Sequence, residues 1–189
     1  MGRWEPDARG RLIGAAMELY GERGFEQTTV AEIAKRAGLT ERTFFRYFTD
    51  KREVLFWGAD ALAKAMVGAL ESAPESMTPI DAIAVALDAG AKVLPDQPEY
   101  PRRRQQIIAA NAELGERERI KLASLAAGLA GALRRRGVAE HVAMLAAETG
   151  VAVFRVSFER WIDERNTRDF AQLLRDSLEE LKAVAAGRQ

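Results

Sequence analysis

The segment from Thr28 to Lys51 constrains the fold most strongly, because it predicts two short helices joined by a tight turn. Thr29 and Glu32 have the T-x-x-E spacing of a capping box, in which each side chain bonds the backbone amide of the other residue. Gly38 can end this first helix in a left-handed conformation, and Thr40 can cap the second one. Helix, glycine-containing turn and short helix are the layout of a helix-turn-helix motif.

The rest of the sequence also has helical periodicity. Apolar residues recur at intervals of three and four positions, and the alternation of a half-buried strand is nearly absent. We therefore predict an all-α fold of about nine helices, with an N-terminal three-helix helix-turn-helix domain followed by a helical domain. The predicted helices one to nine cover about Asp7–Arg23, Val30–Ala37, Glu41–Phe48, Asp50–Glu71, Pro79–Leu94, Arg102–Leu114, Glu116–Arg136, Ala139–Glu164 and Thr167–Ala186.

The residue types exclude several kinds of chemistry. The 189 residues include no cysteine and one histidine, which excludes disulfides, thiolate nucleophiles and zinc sites built from Cys or several His. The sequence has no EF-hand spacing, no glycine-rich phosphate loop and no visible pair of nucleophile and base. We therefore expect no catalytic residue, no metal and no cofactor, which means that the protein is not an enzyme.

The distribution of charge matters more than the net charge, which is zero at pH 7. Residues 34–52 contain six basic and two acidic side chains. Because salt screens each charge over about 10 Å, a local basic patch can bind phosphates on a neutral protein. This patch coincides with the predicted helix-turn-helix and points to a nucleic-acid partner.

Nothing in the sequence predicts a membrane protein. No basic, apolar and small-residue signal occurs at the N-terminus, and apolar runs such as Val142–Ala147 are far too short to cross a bilayer. We expect a cytoplasmic protein with no membrane partner.

Two features of the basic patch suggest contact with DNA. Lys51 and Arg52 fall in the predicted first turn of helix four, where the helix dipole disfavours cations and a nearby phosphate would reverse that balance. Phe44 and Phe48 are four residues apart and should face the core, which leaves two further aromatics, Phe45 and Tyr47, on other faces. The alternatives are that the cations are merely solvated and that all four aromatics are buried.

The stretch GFEQTTVAEIAKRAGLTERTFFRYFTDKREVL, from Gly24 to Leu55, resembles the N-terminal signature of the TetR family of bacterial regulators. The matching features are the G-F pair, the T-T that caps helix two, the A-G turn into L-T, the Y-F pair and the K-R-E-V-L ending. The resemblance implies a DNA-binding domain at residues 1–52 and a ligand-binding and dimerisation domain at 53–189.

The resemblance also implies which residues bind double-stranded operator DNA. Thr28, Thr29, Tyr47 and Lys51 would contact backbone phosphates. Phe45 replaces the tyrosine that is commoner in the family, and Arg46 is a candidate for either guanine or phosphate. Arg9 and Arg11 could touch the backbone. The residues that would face the major groove are Thr40, Glu41, Arg42, Thr43, Phe45 and Arg46.

The C-terminal half is similar, more weakly, to regulators that bind acyl-CoA-like ligands, a group that includes mycofactocin-associated regulators. The similarity lies in RRRQQIIAANAELGERERIKLASLAAGL and LAAETGVAVFRVSFERWIDE. It implies a small-molecule effector with an apolar tail and an anionic head. The alternatives are a solvated arginine run, plain core packing of the apolar residues and a structural hydrogen bond for Asn111. The candidate ligand contacts are Trp57, Met66, Arg104, Ile107, Asn111, Phe154, Phe158 and Trp161.

Helices eight and nine predict a homodimer. Helix eight is apolar nearly all round over Val142–Phe158, which indicates burial on two sides, and helix nine carries one wide apolar stripe. Two helices from each chain would form the interface, unless both only close the monomer core. The combined hypothesis is a ligand-responsive repressor that binds a near-palindromic operator and is released by its effector. The other hypotheses are a helical interaction protein without DNA binding and an enzyme.

Overall fold

The computed structural model describes residues 7–187, and within that range it contains ten α-helices and no strand. The predicted all-α class is confirmed. Gly38, which was predicted to end a helix, has a positive φ angle of 66°, and Gly24, which follows the first helix, has one of 87°. The helices are α1 (Ala8–Arg23), α2 (Val30–Arg36), α3 (Glu41–Tyr47), α4 (Glu53–Phe56), α5 (Ala59–Glu71), α6 (Pro79–Ala91), α7 (Glu99–Ala109), α8 (Ala112–Arg135), α9 (Glu140–Trp161) and α10 (Phe170–Ala185).

The segment predicted as a single helix four is divided in two. α4 ends at Phe56, Trp57 and Gly58 form a turn, and α5 begins at Ala59. Glycine is about 1 kcal/mol less favourable than alanine inside a helix, so Gly58 makes an interruption cheaper here than at its neighbours. The turn leaves Trp57 46% exposed.

The break between predicted helices six and seven also lies elsewhere than expected. It was predicted at Gly115, but α7 ends at Ala109 and α8 begins at Ala112. Asn111 lies at the break, and its Oδ1 accepts a hydrogen bond from the N–H of Leu114 at 3.3 Å. Asparagine is among the best residues for capping a helix N-terminus, and this cap fixes the start of α8.

The chain forms two compact units. The described part of the first unit comprises residues 7–58 and Tyr100–Glu118. Its core joins the helix-turn-helix to α1, α4, α7 and the start of α8. The largest fully buried side chains of this core are Leu12, Leu19, Ile33, Phe44, Ile108 and Leu114.

The first unit is larger than the DNA-binding domain predicted at residues 1–52. Residues 53–58 and Tyr100–Glu118 were assigned to the C-terminal domain, yet they pack in the first unit. The physical reason is that Val54, Leu55 and Ile108 are buried in the same core as Phe44. The boundary between functional domains at residue 52 stays a prediction.

The second unit comprises Ala59–Glu99 and the described residues from Arg119 onwards. α5, α6, α9, α10 and the later part of α8 enclose a separate apolar core. Four aromatic rings, from Phe154, Phe158, Trp161 and Phe170, form one group in it. The ring centroids of Trp161 and Phe170 are 5.0 Å apart, and those of Phe154 and Phe170 are 5.4 Å apart.

α9 is long and apolar enough to cross a membrane by length and composition alone. Core helices of soluble proteins pass the same test, so the property is weak evidence. Eight residues of α9 are buried in the described structure, among them Ala147, Phe154 and Trp161. This burial accounts for the apolar character of one side of the helix.

α6 and α9 approach each other closely at Gly150. A Cβ atom at this position would lie 2.7 Å from Cγ2 of Ile83, which is fully buried. Gly150→Ala would gain up to about 1 kcal/mol of helix propensity, but overpacking costs about 1–3 kcal/mol. We expect a net loss of about 1 kcal/mol in the free energy of unfolding, measured by urea denaturation followed by circular dichroism.

Gly68→Ala is the matched control for this substitution. Gly68 is an exposed glycine of α5 in the same unit, and a Cβ there meets no atom within 4 Å. Gly68→Ala should therefore raise the free energy of unfolding. In an Ile83→Ala background, Gly150→Ala should also become stabilising, and a loss of stability that persists there would refute the contact between the two side chains as its cause.

Candidate nucleic-acid interface

α3 is anchored by one face and capped by two threonines. The Oγ1 of Thr40 accepts a hydrogen bond from the N–H of Thr43 at 3.2 Å, and the two hydroxyls are 3.0 Å apart. Phe44 and Phe48 are buried, as the spacing predicted, whereas Phe45 is 55% exposed. The hypothesis that all four aromatics are buried is therefore wrong.

The opposite face of α3 is exposed and basic. Arg42 and Arg46 are exposed, and no carboxylate of residues 7–187 lies within ion-pair distance of either guanidinium. Glu41 is exposed at the N-terminal end of the helix, where its negative charge interacts favourably with the positive end of the helix dipole. The face therefore presents two uncompensated cations and the ring of Phe45.

The last turn of α3 holds a stack of charged and aromatic groups. The Nη2 of Arg46 donates a hydrogen bond to the hydroxyl of Tyr47 at 3.1 Å, and its guanidinium lies 4.9 Å from the ring centroid. From α1, the guanidinium of Arg9 lies 5.3 Å from the same centroid. Helical sequence patterns relate residues that are three or four positions apart, so they could not predict the contact between Arg9 and Tyr47.

Thr29 begins α2 with the predicted capping box. Its hydroxyl accepts the N–H of Glu32 at 3.2 Å, and the carboxylate of Glu32 accepts the N–H of Thr29 at 2.9 Å. Glu32 also pairs with Arg23 at 2.7 Å. The hydrogen bond from the Thr29 amide is the main reason that the pKa of Glu32 lies below its ordinary value. Thr29 remains exposed at this helix start, where a phosphate contact stays a prediction.

The phosphate contact predicted for Thr28 stays a prediction, but the side chain has a partner within the fold. Its side chain is only 1% exposed, and its hydroxyl donates a hydrogen bond to the carbonyl of Gly24 at 2.9 Å. The role of Thr28 is to close the corner between α1 and α2. Arg11 has a comparable role, because its guanidinium donates to the carbonyl of Ala37.

The phosphate contact predicted for Lys51 also stays a prediction, but its ammonium already has partners within the fold. The Nζ of Lys51 donates to the carbonyls of Phe25, Glu26 and Thr28 at 2.9, 3.2 and 3.0 Å, which uses all three of its donors. The ammonium also lies 4.4 Å from the ring centroid of Phe25. The carbonyl of Lys51 accepts the hydroxyl of Tyr20 at 2.6 Å, and burial raises the pKa of that phenol well above its usual range. Lys51 therefore holds the α1–α2 corner.

Arg52 is likewise neutralised within the first unit. It pairs with Asp50 at 2.8 Å and with Glu113. Burial opposes ionisation of Asp50, but bonds from the Arg52 side chain and from the amides of Arg52 and Glu53 outweigh it and lower the pKa of Asp50. These two carboxylates offset the unfavourable position of this cation near the start of α4.

The eight predicted ligand contacts divide between the two units. Arg104 already donates to the carbonyl of Leu55 at 2.6 Å and to Glu118 at 3.0 Å. Asn111 donates to Glu26 at 2.8 Å in addition to capping α8. The existing bonds of these two polar side chains favour the structural alternative. The first unit contains Trp57, Arg104, Ile107 and Asn111, and the second contains Met66, Phe154, Phe158 and Trp161 in one apolar cluster.

Two family models match this chain. The model for bacterial regulatory proteins of the tetR family matches residues 12–56. The model described as the MftR C-terminal domain matches residues 77–186, which is more than half of the chain.

Individual proteins agree with these models. TcmR, an HTH-type transcriptional regulator of Streptomyces glaucescens, is 40% identical over 81 residues, which cover 43% of this chain and 36% of TcmR. The regulator MftR of Mycobacterium tuberculosis is 26% identical over 114 residues, which cover 60% of this chain and 58% of MftR. Each match thus spans less than two thirds of the relative's length.

A solved structure is similar over nearly the whole chain. FadR of Thermus thermophilus, a TetR family transcriptional repressor in complex with lauroyl-CoA, superimposes with a TM-score of 0.55 and 26% identity. The superposition covers 92% of this chain and 93% of that one.

Proposed function

This chain belongs to the TetR family of bacterial regulatory proteins, with an MftR C-terminal domain, and we propose from that membership that it is an effector-responsive repressor that binds operator DNA as a homodimer. The observation that carries the proposal is the exposed basic face of α3, which is anchored from behind by Phe44 and Phe48. A short helix of this kind fits the major groove and presents its first residues to base edges.

The residues of α3 and its surroundings divide into two roles. Arg42, in the first turn, is an exposed and uncompensated cation, and we assign it to the base edges with Thr43 and Phe45. Phe45 can contact the methyl group of thymine. Arg46, in the last turn, lies against the Tyr47 ring, and we assign it to the phosphate backbone. The exposed Thr40 and Glu41 begin the same face.

A DNA titration tests this function. A fluorescent duplex from the region upstream of the protein's own gene is titrated at several salt concentrations, with a scrambled duplex as the control. Binding at least about a thousandfold tighter to the upstream duplex would establish specific recognition. If both duplexes bind equally and weakly, an operator should be sought by selection from random DNA. If no sequence is selected there either, the hypothesis of a helical interaction protein is favoured.

Arg42→Ala should change the sequence preference of the protein. Loss of a bidentate contact to a base costs about 1–3 kcal/mol at one position of each half-site. The measurement is the affinity for a set of operators with single base-pair changes. Arg165→Ala is the charge-matched control, because Arg165 is an exposed arginine outside the first unit. An unchanged preference in Arg42→Ala would remove Arg42 from the base-reading face.

The homodimer interface is assigned to α9 and α10, which correspond to the predicted helices eight and nine. Val142, Leu145, Ala152 and Val156 are exposed at spacings that place them on one side of α9. Leu145 is 69% exposed, and α10 adds the exposed Leu181 and Val184. A contiguous apolar face on a helix whose other side is buried fits a two-fold interface between identical chains.

Leu145→Arg should convert the dimer to a monomer, measured by sedimentation equilibrium, because it places a charge in the apolar interface. Ile120→Arg is the matched control, since Ile120 is an exposed apolar residue of α8 in the same unit but off this face. Its dimer should persist. If Leu145→Arg dimerises as well as Ile120→Arg does, the interface lies elsewhere than on this face of α9.

The effector is an acyl-CoA-like molecule in this proposal. Support comes from the MftR C-terminal domain and from the similarity to a repressor solved with lauroyl-CoA. Lauroyl-CoA should raise the melting temperature and reduce operator binding, whereas coenzyme A and laurate alone should do less. If lauroyl-CoA changes neither property, the effector class is wrong while the DNA-binding function stands. Tighter DNA binding would make the ligand a co-repressor.

A further inference from the structure

Trp57 lies where none of the predicted functions placed it. It was a candidate ligand contact, but its exposed ring lies beside Arg9 of α1 within the first unit. The guanidinium of Arg9 lies 5.7 Å from the Trp57 ring centroid and 5.3 Å from that of Tyr47. Arg46 lies 4.9 Å from the Tyr47 centroid. The four side chains thus form a row of alternating rings and cations, Trp57, Arg9, Tyr47 and Arg46.

This row differs chemically from several other arginine contacts of the first unit. Arg36, Arg52 and Arg104 are held by carboxylates, which neutralise them. Arg9 and Arg46 are held by aromatic rings, and no carboxylate among residues 7–187 is within ion-pair distance of them. An aromatic ring attracts and orients a guanidinium without cancelling its charge. Both cations are therefore fixed in place and still available to an anion.

The spacing of the two cations suits a nucleic-acid backbone. Because both guanidiniums lie within 5.3 Å of the Tyr47 centroid, they are at most about 10 Å apart. Successive phosphates of one B-DNA strand are about 3.4 Å apart along the helix axis and farther apart in space, because the strand winds around that axis, so two cations at most about 10 Å apart can meet neighbouring phosphates. The row also lies at the end of α3 that follows its base-reading turn.

We propose that Trp57 is a positioning residue of the DNA interface, which holds the guanidinium of Arg9 beside Tyr47 and Arg46 so that two arginines meet neighbouring phosphates of one strand. The inference rests on the proposed DNA-binding function. It assigns Trp57 to DNA rather than to an effector. It also explains why a large aromatic side chain remains exposed at the turn between α4 and α5.

The test compares Trp57→Leu, Arg9→Ala and the double variant in DNA titrations over a range of salt. Arg9→Ala should lower the slope of log affinity against log salt by about 0.9 for each half-site. Trp57→Leu should weaken binding about two- to fivefold for each half-site, equally on operator and unrelated DNA. The double variant should bind no more weakly than Arg9→Ala alone, because Trp57 acts through Arg9. Trp57→Phe, which keeps a ring, should retain most of the affinity.

Each contrary result identifies what is wrong. If Trp57→Leu keeps the full affinity and salt slope, or if its effect adds to that of Arg9→Ala, the positioning role is overturned while DNA binding stands. If the wild-type protein binds no duplex from the upstream region or from random DNA, the proposed function and this inference both fail. Melting temperatures of all variants, with Arg165→Ala as the control, separate lost contacts from lost folding.

Discussion

Lys51→Met should lower the free energy of unfolding of the protein by about 2–4 kcal/mol, because it removes three charge-assisted hydrogen bonds to main-chain carbonyls. The carbonyls of Phe25, Glu26 and Thr28 belong to the α1–α2 corner, and that of Phe25 also accepts the N–H of Thr28 at 3.3 Å. Methionine keeps much of the length and apolar volume of lysine. The loss should be measured by urea denaturation followed by circular dichroism.

DNA binding distinguishes this role from the phosphate contact that the sequence suggests. A lost phosphate contact would lower the salt slope by about 0.9 for each half-site and leave stability unchanged. We expect the reverse for Lys51→Met: a lower melting temperature, and an unaltered slope at temperatures where the variant is folded. Lys35→Met is the matched control, because Lys35 is an exposed lysine of α2 in the same unit. A reduced slope at wild-type stability would restore Lys51 to the DNA surface.

The contrast between Thr29 and Lys51 shows what the sequence can predict. The cap formed by Thr29 and Glu32, and the opposite orientations of Phe44 and Phe45, depend on residues one to four positions apart. Such neighbours are fixed by the geometry of a helix, so their pattern can be recognised from the sequence alone.

The partners of Lys51 are 23 to 26 residues away and are backbone carbonyls. Every residue has such a carbonyl, so no residue type marks the acceptors. Arg104 illustrates the same limit, since it bonds the carbonyl of Leu55 and the carboxylate of Glu118. A basic residue in a suitable segment predicts a phosphate contact only when no partner inside the fold has already taken its donors.

The surroundings of Trp57 could not be predicted for a related reason. Continuing helix four through Gly58 would have kept Trp57 on a regular helix within the predicted ligand-binding domain. The turn at Trp57 and Gly58 instead places the ring next to Arg9, which is 48 positions earlier in the chain. A single glycine in an otherwise helical pattern costs only about 1 kcal/mol, so the sequence does not decide whether the helix continues or breaks there.

Trp161→Ala should lower the free energy of unfolding by about 3–5 kcal/mol, because it leaves a cavity at the centre of the aromatic group of the second unit. Trp161 is almost completely buried, and its ring contacts Phe158 and Phe170 at centroid distances of 5.9 and 5.0 Å. Urea denaturation followed by circular dichroism measures the loss without depending on the tryptophan itself. A stability of 5–15 kcal/mol is usual, so a loss of this size would leave little reserve.

Trp161→Phe separates the two roles that the sequence left open for this residue. If Trp161 is plain core, phenylalanine restores most of the stability, and lauroyl-CoA raises the melting temperature of the variant as much as that of the wild type. If the effector enters by opening the aromatic group, the ligand-induced shift falls while the stability without ligand is largely retained. A loss below about 1 kcal/mol in Trp161→Ala would contradict the packing itself. The closed arrangement of Phe154, Trp161 and Phe170 favours the first outcome, since each ring already contacts the others or their neighbours within the same core.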